Sequence, residues 1–342
     1  MQLNPTHVGN PCSTLPRRVL LGGMASYVLL GPGRELEAAS PQTGVAMRPS
    51  DANDGSSWKL GLIADLHHGL APDALGRLEA FIEASEKASP AAIMQMGDFN
   101  YGVDADDCMR VWRMFDGPKY HVLGNHDMDK TTKANIVDAW EMPAAYYSFD
   151  FRGWHFVVLD RNHLKTEDGG FIDYSESNFY VDGRLRGYAD TEQLEWLTED
   201  LSRTQFPTVV FSHQGLGMKS DDQAAGAIET VLAKSNRGSG KIRACFCGHH
   251  HIDRYNQRDG IHYVWINSAS YHWVGSEYGR MAAYTDPLFT FLTFHPDQSI
   301  EVAGCVSDWA TPTPKERDYP GWADLNTVIV GRRLTSSPRS ND

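Results

Sequence analysis

The sequence predicts an α/β fold, because short apolar stretches typical of buried strands alternate along the chain with amphipathic, helix-like segments. Five of these apolar stretches are followed, directly or after one glycine, by Asp, Asn or His: residues 59–64, 91–96, 120–123, 208–212 and 244–247. In open α/β sheets, ligands bind beyond the carboxyl ends of the strands. The polar residues that follow the five stretches are therefore expected to meet at one edge of the fold.

Composition supports a folded core and excludes some classes of function. Hydrophobic residues make up 41% of the 342 residues and aromatic residues 11%, which is sufficient for a core. The chain carries 44 acidic and 31 basic residues, a formal charge of −13, which argues against bulk nucleic-acid binding. Five cysteines in a chain of this length do not form a disulfide scaffold. Length alone suggests about two domains.

Residues 1–57 are predicted to be an export signal and linker. Arg17 and Arg18 precede an apolar run, residues 19–30, in a pattern resembling a twin-arginine signal. The run is shorter than the ~20 residues that span a bilayer, so no stable transmembrane anchor is expected. We expect a periplasmic or extracytoplasmic protein. If residues 1–55 are instead an irregular extension, the protein would be cytoplasmic.

Residues 58–308 form the predicted body, whose first half pairs strands with helices. Apolar spacing and Pro72 near the start predict a helix over 72–88, and similar spacing predicts one over 106–115. Strands are predicted at 59–64, 91–96 and 120–123, and a hairpin at 146–151 and 154–160 turns at Arg152 and Gly153. The polar, glycine-rich stretch 161–190 is long enough to be a functional loop.

The second half continues the same alternation. A helix over 191–201 is predicted with Thr191 as its N-cap, and another over 224–233. Further strands are predicted at 208–212, 244–247, 261–266, 288–294 and 300–306. Residues 309–342 are rich in proline and charge, which predicts a largely irregular C-terminal extension.

The residues at the five strand ends form a metal-ligand set. They include two carboxylates, one amide oxygen and four imidazoles, which suit Mn, Fe or Zn, and suit two ions better than one. Glycines before three of the motifs allow tight turns and close backbone approach. In chain order the motifs are Asp65-Leu66-His67, Gly97-Asp98, Gly124-Asn125-His126-Asp127, His213 and Gly248-His249-His250-His251.

This series of motifs resembles the calcineurin-like metallophosphoesterase superfamily over roughly residues 59–306. The resemblance implies a single domain, a four-layer αββα sandwich with two mixed β-sheets. It also implies two divalent or trivalent ions, whose bridging hydroxide attacks phosphorus. The implied roles are first-ion ligands Asp65, His67 and His251; second-ion ligands Asn125, His213 and His249; bridging carboxylate Asp98; general acid His126; and Asp127 as the residue that orients the His126 ring.

Tyr101 and four other residues are additional candidates. Tyr101 completes a G-D-x-x-Y pattern similar to that of purple acid phosphatases, in which the tyrosine binds ferric iron. Because the first motif here is D-x-H, His67 is favoured as the ligand and Tyr101 as a neighbouring pocket residue. Possible substrate-pocket residues follow two other strands: Arg161, Asn162, Tyr271 and His272.

The resemblance implies an enzyme that hydrolyses phosphomonoester or phosphodiester bonds of a small-molecule phosphate ester. The alternative is a non-catalytic protein of the same fold that binds metal or a protein partner. Every expected ligand and His126 are present in the sequence, which favours the enzyme. The natural ester and the metals are not determined by these motifs.

Overall fold

The computed structural model describes residues 55–101, 105–218, 223–273 and 281–335. The predicted export signal, apart from the end of its linker, lies outside the described residues. Among the helices that are described, none has the length and apolar character needed to cross a bilayer.

The described helices and strands alternate over most of the body, as predicted. The helices are α1 (Ala74–Ala88), α2 (Ala105–Trp112), α3 (Lys133–Ala139), α4 (Thr191–Arg203) and α5 (Gln223–Asn236). The strands are β1 (Trp58–Ile63), β2 (Ala92–Gln95), β3 (Lys119–His121), β4 (Tyr147–Phe151), β5 (Trp154–Val158), β6 (His163–Lys165), β7 (Phe171–Asp173), β8 (Arg186–Tyr188), β9 (Thr208–Ser212), β10 (Ile242–Cys247), β11 (Arg254–Arg258), β12 (Ile261–Trp265), β13 (Tyr271–Trp273), β14 (Met281–Ala283), β15 (Phe289–Phe294), β16 (Ile300–Val302), β17 (Cys305–Val306), β18 (Val328–Ile329) and β19 (Arg332–Leu334).

Two six-stranded mixed sheets form the centre of the molecule. The first has the order β19-β16-β15-β1-β2-β3, in which β1, β2 and β3 are parallel and the other pairs antiparallel. The second has the order β11-β12-β10-β9-β5-β4, in which β12, β10, β9 and β5 are parallel and the two edge strands antiparallel.

The sheets face each other across an aromatic core, and helices cover their outer faces. Trp58 of β1 stacks on Phe294 with ring centroids 4.3 Å apart and lies 6.0 Å from Phe156 of the second sheet. Along β9, Phe211 belongs to this core, whereas Val210 packs in a second cluster with residues of α4 and α5. This division follows from the two-residue period of a strand. The predicted four-layer αββα sandwich is confirmed.

Helices α1 and α2 form the layer outside the first sheet. The ring of Phe81 in α1 lies 5.3 Å from Phe289 and 6.4 Å from Phe291, both in β15, and 6.2 Å from Trp112 of α2. Phe81 and Trp112 are completely buried. Since burying such a side chain contributes about 1.5–3 kcal/mol, these contacts hold the helices against the sheet whose strand ends carry the site.

Two local predictions are wrong. The stretch 161–190, predicted to be a loop long enough for a functional role, is not a loop throughout, because β6, β7 and β8 pair into a small antiparallel sheet within it. These strands have three residues each, too few for a recognisable alternation. Helix α4 is capped by Asp190, whose side chain accepts a hydrogen bond from the Gln193 amide at 2.8 Å, so Thr191 is its first helical residue.

The C-terminal segment contributes to the body. Strand β19 pairs with β16 at the edge of the first sheet, and β18 pairs with β17. The division of the chain at residue 308 stays a prediction. The described part of residues 309–342 is nevertheless hydrogen-bonded to strands that precede this boundary.

Candidate metal centre

Two groups of potential metal ligands lie just beyond the carboxyl ends of β1, β2, β9 and β10. Asp65, His67 and His251 form the first group, and Asp98, His213 and His249 form the second. Within each group the ligand atoms lie within 4.8 Å of one another. All of these residues except His249 are buried. The fold therefore brings together six of the seven residues predicted as metal ligands in two adjacent groups.

In the first group, ring nitrogens face each other and a carboxylate. His251 Nδ1 donates a hydrogen bond to the carbonyl oxygen of Tyr271 at 2.6 Å, so Nε2 of the neutral ring carries a lone pair. That Nε2 atom lies 3.1 Å from His67 Nε2 and 3.2 Å from Asp65 Oδ1. A lone pair so close to a carboxylate is unfavourable unless positive charge lies between them, so this donor set fits a cation.

The second group has the same arrangement. His213 Nδ1 donates to the carbonyl oxygen of Met96 at 2.8 Å, and its Nε2 lies 3.1 Å from Asp98 Oδ2 and 3.2 Å from His249 Nδ1. Burial lowers the pKa of His213, but the Asp98 carboxylate outweighs it and raises the pKa to about 9. Burial lowers the pKa of His249, which favours the neutral ring. The Asp98 carboxylate of this group therefore attracts positive charge, and His249 offers it a neutral ring nitrogen.

Asp98 lies between the two groups. Its Oδ2 atom is 3.1 Å from His213 Nε2 in the second group and 3.8 Å from His67 Nε2 in the first. Its Oδ1 atom accepts a hydrogen bond from the His126 amide at 2.8 Å. One carboxylate therefore faces both groups, as expected of a bridging ligand.

Asn125 supplies a buried amide oxygen beyond β3. The residue is 7% exposed, and its Oδ1 has no hydrogen-bond partner among the described residues. A buried acceptor left without a donor costs roughly 1–3 kcal/mol, whereas a cation would satisfy it. The oxygen fits the predicted role of Asn125 as a ligand.

The backbone of the site is strained where the ligands lie. Five ligands have left-handed φ angles between 50° and 71°: Asp65, His67, Asp98, His249 and His251. Such angles in residues other than glycine concentrate at functional sites, where the surrounding structure enforces them. Gly97, with φ 92°, has no room for a side chain, since a Cβ there would lie 2.6 Å from both Gly124 N and His213 Nδ1.

His126 lies at the edge of the centre. Its side chain is 20% exposed, and its ring centroid is 5.4 Å from that of His67. Burial lowers the pKa of His126, but the carboxylates of Asp98 and Asp129 outweigh this effect and raise the pKa above its ordinary value. A partly accessible imidazole whose protonated form is favoured by nearby carboxylates has the properties of a proton donor.

The predicted role of Asp127 in orienting His126 is wrong. The two oxygens of Asp127 accept four backbone hydrogen bonds, from the amides of Asp98, Phe99, Asn100 and Gly124. Asp127 therefore joins the loops that follow β2 and β3. Asp129 takes the orienting position, with Oδ2 2.6 Å from His126 Nδ1. Its place three residues after His126, on the same short 3₁₀ turn, is the one sequence signal that would have identified it.

Tyr101 lies beside His126, and the ligand groups described above do not include it. Its ring is 5.8 Å from the His126 ring, and the Lys130 ammonium lies 5.3 Å from its centroid. Tyr180, an aromatic residue of the 161–190 stretch, is 57% exposed, and its hydroxyl lies 3.3 Å from His126 Nδ1. These two tyrosines flank the proton-donor candidate.

Arg161 and Asn162 do not line a pocket, contrary to prediction. Both are at most 1% exposed. Arg161 donates to the carbonyl oxygens of Gly187 and Gly215, at 2.9 and 2.6 Å. Asn162 donates to the carbonyl oxygen of Leu123 at 2.9 Å and accepts from Gln214 at 2.7 Å. Both residues therefore hold loops together beneath the site.

Tyr271 supports the first group, and its side chain is buried. Its carbonyl oxygen fixes His251, and its ring stacks 5.8 Å from His67. His272 pairs with Ala282 between β13 and β14, but its side chain falls outside what the structure describes. The predicted pocket role of His272 stays a prediction.

A third cluster, Asp160, His163 and Asp173, resembles a metal site by its residue types. The Lys133 ammonium, however, lies 2.6 Å from Asp160 Oδ2 and 2.6 Å from Asp173 Oδ1. The lysine supplies the positive charge that these carboxylates require, so this cluster is an ion-pair network, buried at Asp160 and His163 and exposed at Asp173.

Two facing mixed sheets inside helical layers, with paired carboxylate–imidazole groups at their strand ends, define the metallophosphoesterase class. The family model for calcineurin-like phosphoesterases matches residues 59–253. The chain belongs to this family, as the resemblance implied.

Two curated relatives each align with about half of the chain. The manganese-dependent ADP-ribose/CDP-alcohol diphosphatase of Oryza sativa subsp. japonica is 29% identical over 209 residues, which cover 51% of this chain and 65% of the relative. A probable cyclic nucleotide phosphodiesterase of Synechococcus sp. is 27% identical over 172 residues, which cover 47% of this chain and 60% of the relative. The alignments thus span less than two thirds of each relative.

Solved structures support the fold. A dimetal phosphatase from Danio rerio superimposes with a TM-score of 0.57 at 14% identity, covering 82% of this chain and 99% of that one. GAP50 of Plasmodium, described as the anchor in the inner membrane complex, superimposes with a TM-score of 0.50 at 12% identity, covering 83% and 90%. At these identities the likeness concerns the fold alone.

Proposed function

We propose that this protein is a dinuclear, metal-dependent phosphoesterase that cleaves a phosphodiester or diphosphate bond of a small molecule. The observation that carries the proposal is the position of Asp98, whose Oδ2 lies within 3.8 Å of imidazole nitrogens from both donor groups. A carboxylate shared in this way is what two neighbouring ions require. Family membership supports the same chemistry.

The side chains have distinct tasks in this proposal. Bound Mn, Fe or Zn ions would supply hydroxide near neutral pH and neutralise phosphoryl charge. Asp98, Asn125 and the two groups of imidazoles and carboxylates would hold these ions. His126 would deliver a proton to the leaving oxygen from Nε2, because its Nδ1 is engaged by Asp129. The Asp129 carboxylate keeps the ring in this orientation.

The substrate class follows the activities named for the two relatives. One is named a diphosphatase and the other a probable cyclic nucleotide phosphodiesterase. Both names describe substrates in which phosphorus is linked through oxygen to two further groups, whereas in a monoester it is linked to one. We therefore propose that diesters and diphosphates are better substrates than monoesters.

A hydrolysis screen on protein of defined metal content tests the proposal. The full chain is stripped with EDTA, reloaded with Mn, Fe or Zn, and assayed on phosphomonoesters, linear and cyclic diesters, and nucleoside diphosphate esters. Two ions per chain and turnover of diesters or diphosphates are expected. Exclusive turnover of monoesters would overturn the substrate class. Two bound ions without hydrolysis would support the alternative, a non-catalytic metal- or partner-binding protein.

Colour tests whether Tyr101 is an iron ligand. We propose that Tyr101 is a pocket residue beside His126, consistent with its ring distance of 5.8 Å from that side chain. Iron-loaded protein should then lack the intense colour of a ferric–tyrosinate site. A visible band that disappears in Tyr101→Phe would instead assign Tyr101 to the metal.

We also propose that the protein is exported. The arginine pair and the apolar run at residues 19–30 support this proposal. Fractionation of cells that express the full chain should place the wild type outside the cytoplasm, and the double variant Arg17→Lys, Arg18→Lys should be retained inside. Equal retention of both proteins would contradict export by a twin-arginine route.

A further inference from the structure

The C-terminal segment forms hydrogen bonds with Asp253, close to the His249–His251 loop. Asp253 lies two residues after His251, and its carboxylate accepts hydrogen bonds from Arg332 Nη1 at 3.0 Å and Nη2 at 2.6 Å. The Val330 amide donates to the same carboxylate at 3.1 Å. Asn326 completes the contact, since its Oδ1 accepts from the Asp253 amide at 3.0 Å. The Asp253 side chain is only 5% exposed.

A second set of hydrogen bonds connects this segment to His251. Asn267, completely buried after β12, donates from Nδ2 to the carbonyl oxygens of Asn326 and Val328 at 2.9 and 3.1 Å. The Tyr284 hydroxyl lies 2.9 Å from Asn267 Oδ1 and 3.3 Å from the carbonyl oxygen of His251. The segment therefore reaches the backbone of a ligand through two buried side chains.

The residues that follow Asn267 also contact Asp65. The hydroxyls of Ser268 and Ser270, which follow Asn267, donate to the Asp65 carbonyl oxygen at 3.0 and 2.8 Å. Asp65 and His251 both belong to the first donor group. In the second group, His213 is fixed differently, by the Met96 carbonyl oxygen at the end of β2.

We propose that residues 326–332, here named the C-terminal clasp, position the first donor group and thereby set the affinity for one of the two ions. Arg332 is the positioning residue, because its bidentate pair with Asp253 holds the clasp against the His251 loop. The loop needs such support, since His249 and His251 have left-handed backbone angles. This inference rests on the proposed function insofar as both require two bound ions.

Arg333 provides a matched control in the same strand. Successive side chains of a strand point to opposite faces, so Arg333 points away from Arg332. Arg333 is 50% exposed and pairs with Asp297 at 3.0 Å, not with Asp253. Replacing Arg333 removes the same charge from β19 without opening the clasp.

Calorimetric titration of the EDTA-treated full chain with Mn²⁺ alone tests the inference. Arg332→Ala should weaken one of the two binding events by up to the roughly 10–100-fold known for direct partners of metal ligands, and leave the other within about twofold. Arg332→Lys should restore part of the loss, and Arg333→Ala should match the wild type. Thermal unfolding followed by circular dichroism establishes that each variant is folded. Asp253→Asn, which preserves side-chain size, should reproduce the selective loss if Arg332→Ala does not fold.

The outcomes separate this inference from the proposed function. Unchanged affinities in folded Arg332→Ala or Asp253→Asn, or equal weakening of both binding events, would overturn the positioning role of the clasp. A wild-type chain that binds fewer than two Mn²⁺ ions would overturn the dinuclear proposal itself, and the inference with it. Normal binding of two ions without hydrolysis would overturn only the proposed activity.

Discussion

Oδ2 of Asp129 lies 2.6 Å from Nδ1 of His126, and the carboxylate is almost completely buried while the imidazole is partly exposed. Asp129 is itself held by the hydroxyl of Ser177, which donates to its Oδ1 at 3.1 Å and to its carbonyl oxygen at 2.7 Å. Ser177 therefore holds Asp129, and Asp129 in turn fixes the orientation of the His126 ring.

Asp129→Asn should lower kcat by about 10²-fold on substrates with poor leaving groups, within the range expected for general acid catalysis. The amide preserves size but no longer favours a protonated His126 ring. The effect should be smaller on nitrophenyl esters, because their leaving groups need little protonation. Partial recovery in Asp129→Glu would support orientation, whereas equal losses on both kinds of ester would contradict it.

Replacing His126 itself should have a larger effect. His126→Ala should reduce kcat by about 10²–10⁴-fold while the metal content stays at the wild-type value, because the ring is proposed to act as acid and not as ligand. Metal analysis and steady-state kinetics on the same preparation provide the measurement. Loss of an ion together with activity would assign His126 to the metal centre instead.

Metal stoichiometry should distinguish the shared ligand from an unshared one. Asp98→Asn should weaken the binding of both ions, because Asp98 faces both donor groups. His251→Ala should weaken the binding of only one ion, since His251 belongs to the first group. Elemental analysis after dialysis against limiting metal measures the difference. Selective loss of one ion in Asp98→Asn would show that the carboxylate does not bridge.

His155 should make the stability of the fold depend on pH. It lies on β5, with Nδ1 2.7 Å from Asp150 and Nε2 2.8 Å from Asp200 of α4. Burial lowers the pKa of His155, but the carboxylates of Asp200 and Asp150 outweigh it and raise the pKa. The stabilisation is therefore fully present below the unfolded pKa of about 6.5 and is lost as pH rises through the higher folded value.

Urea unfolding of the wild type and His155→Gln at pH 5.5 and pH 9 tests this sign. The difference in unfolding free energy should be larger at pH 5.5. His262→Gln is the control, because burial lowers the pKa of His262, so its difference should instead grow as pH rises. Parallel trends for the two variants would contradict the assigned ion pairs.

The strand-end motifs were predictable because they depend on local sequence. An apolar run followed by Asp, Asn or His marks a buried strand and the polar residue at its carboxyl end, and parallel strands place these ends on one side. Family resemblance then supplied the expected partition of ligands. The donor groups around Asp65 and Asp98 consist of residues that those motifs contain.

The supporting residues were not predictable, because their partners are distant in sequence. Asp127 accepts hydrogen bonds from amides of the loop that follows β2, nearly thirty residues earlier, and this engagement excludes it from orienting His126. Arg161 follows a strand, as the ligands do, yet it is buried against carbonyl oxygens of two other loops. Sequence position alone does not distinguish a side chain that enters the site from one that supports it.

The sequence by itself determined the α/β class, the family and the types of ligand, since apolar periodicity and ordered motifs are properties of short segments. Only the tertiary structure decided that the loop after β2 engages Asp127, that residues 161–190 form a small sheet, and that Arg332 reaches Asp253. Each of these depends on where chain segments meet in space, and hydrogen bonds between such segments leave no periodic pattern in the sequence.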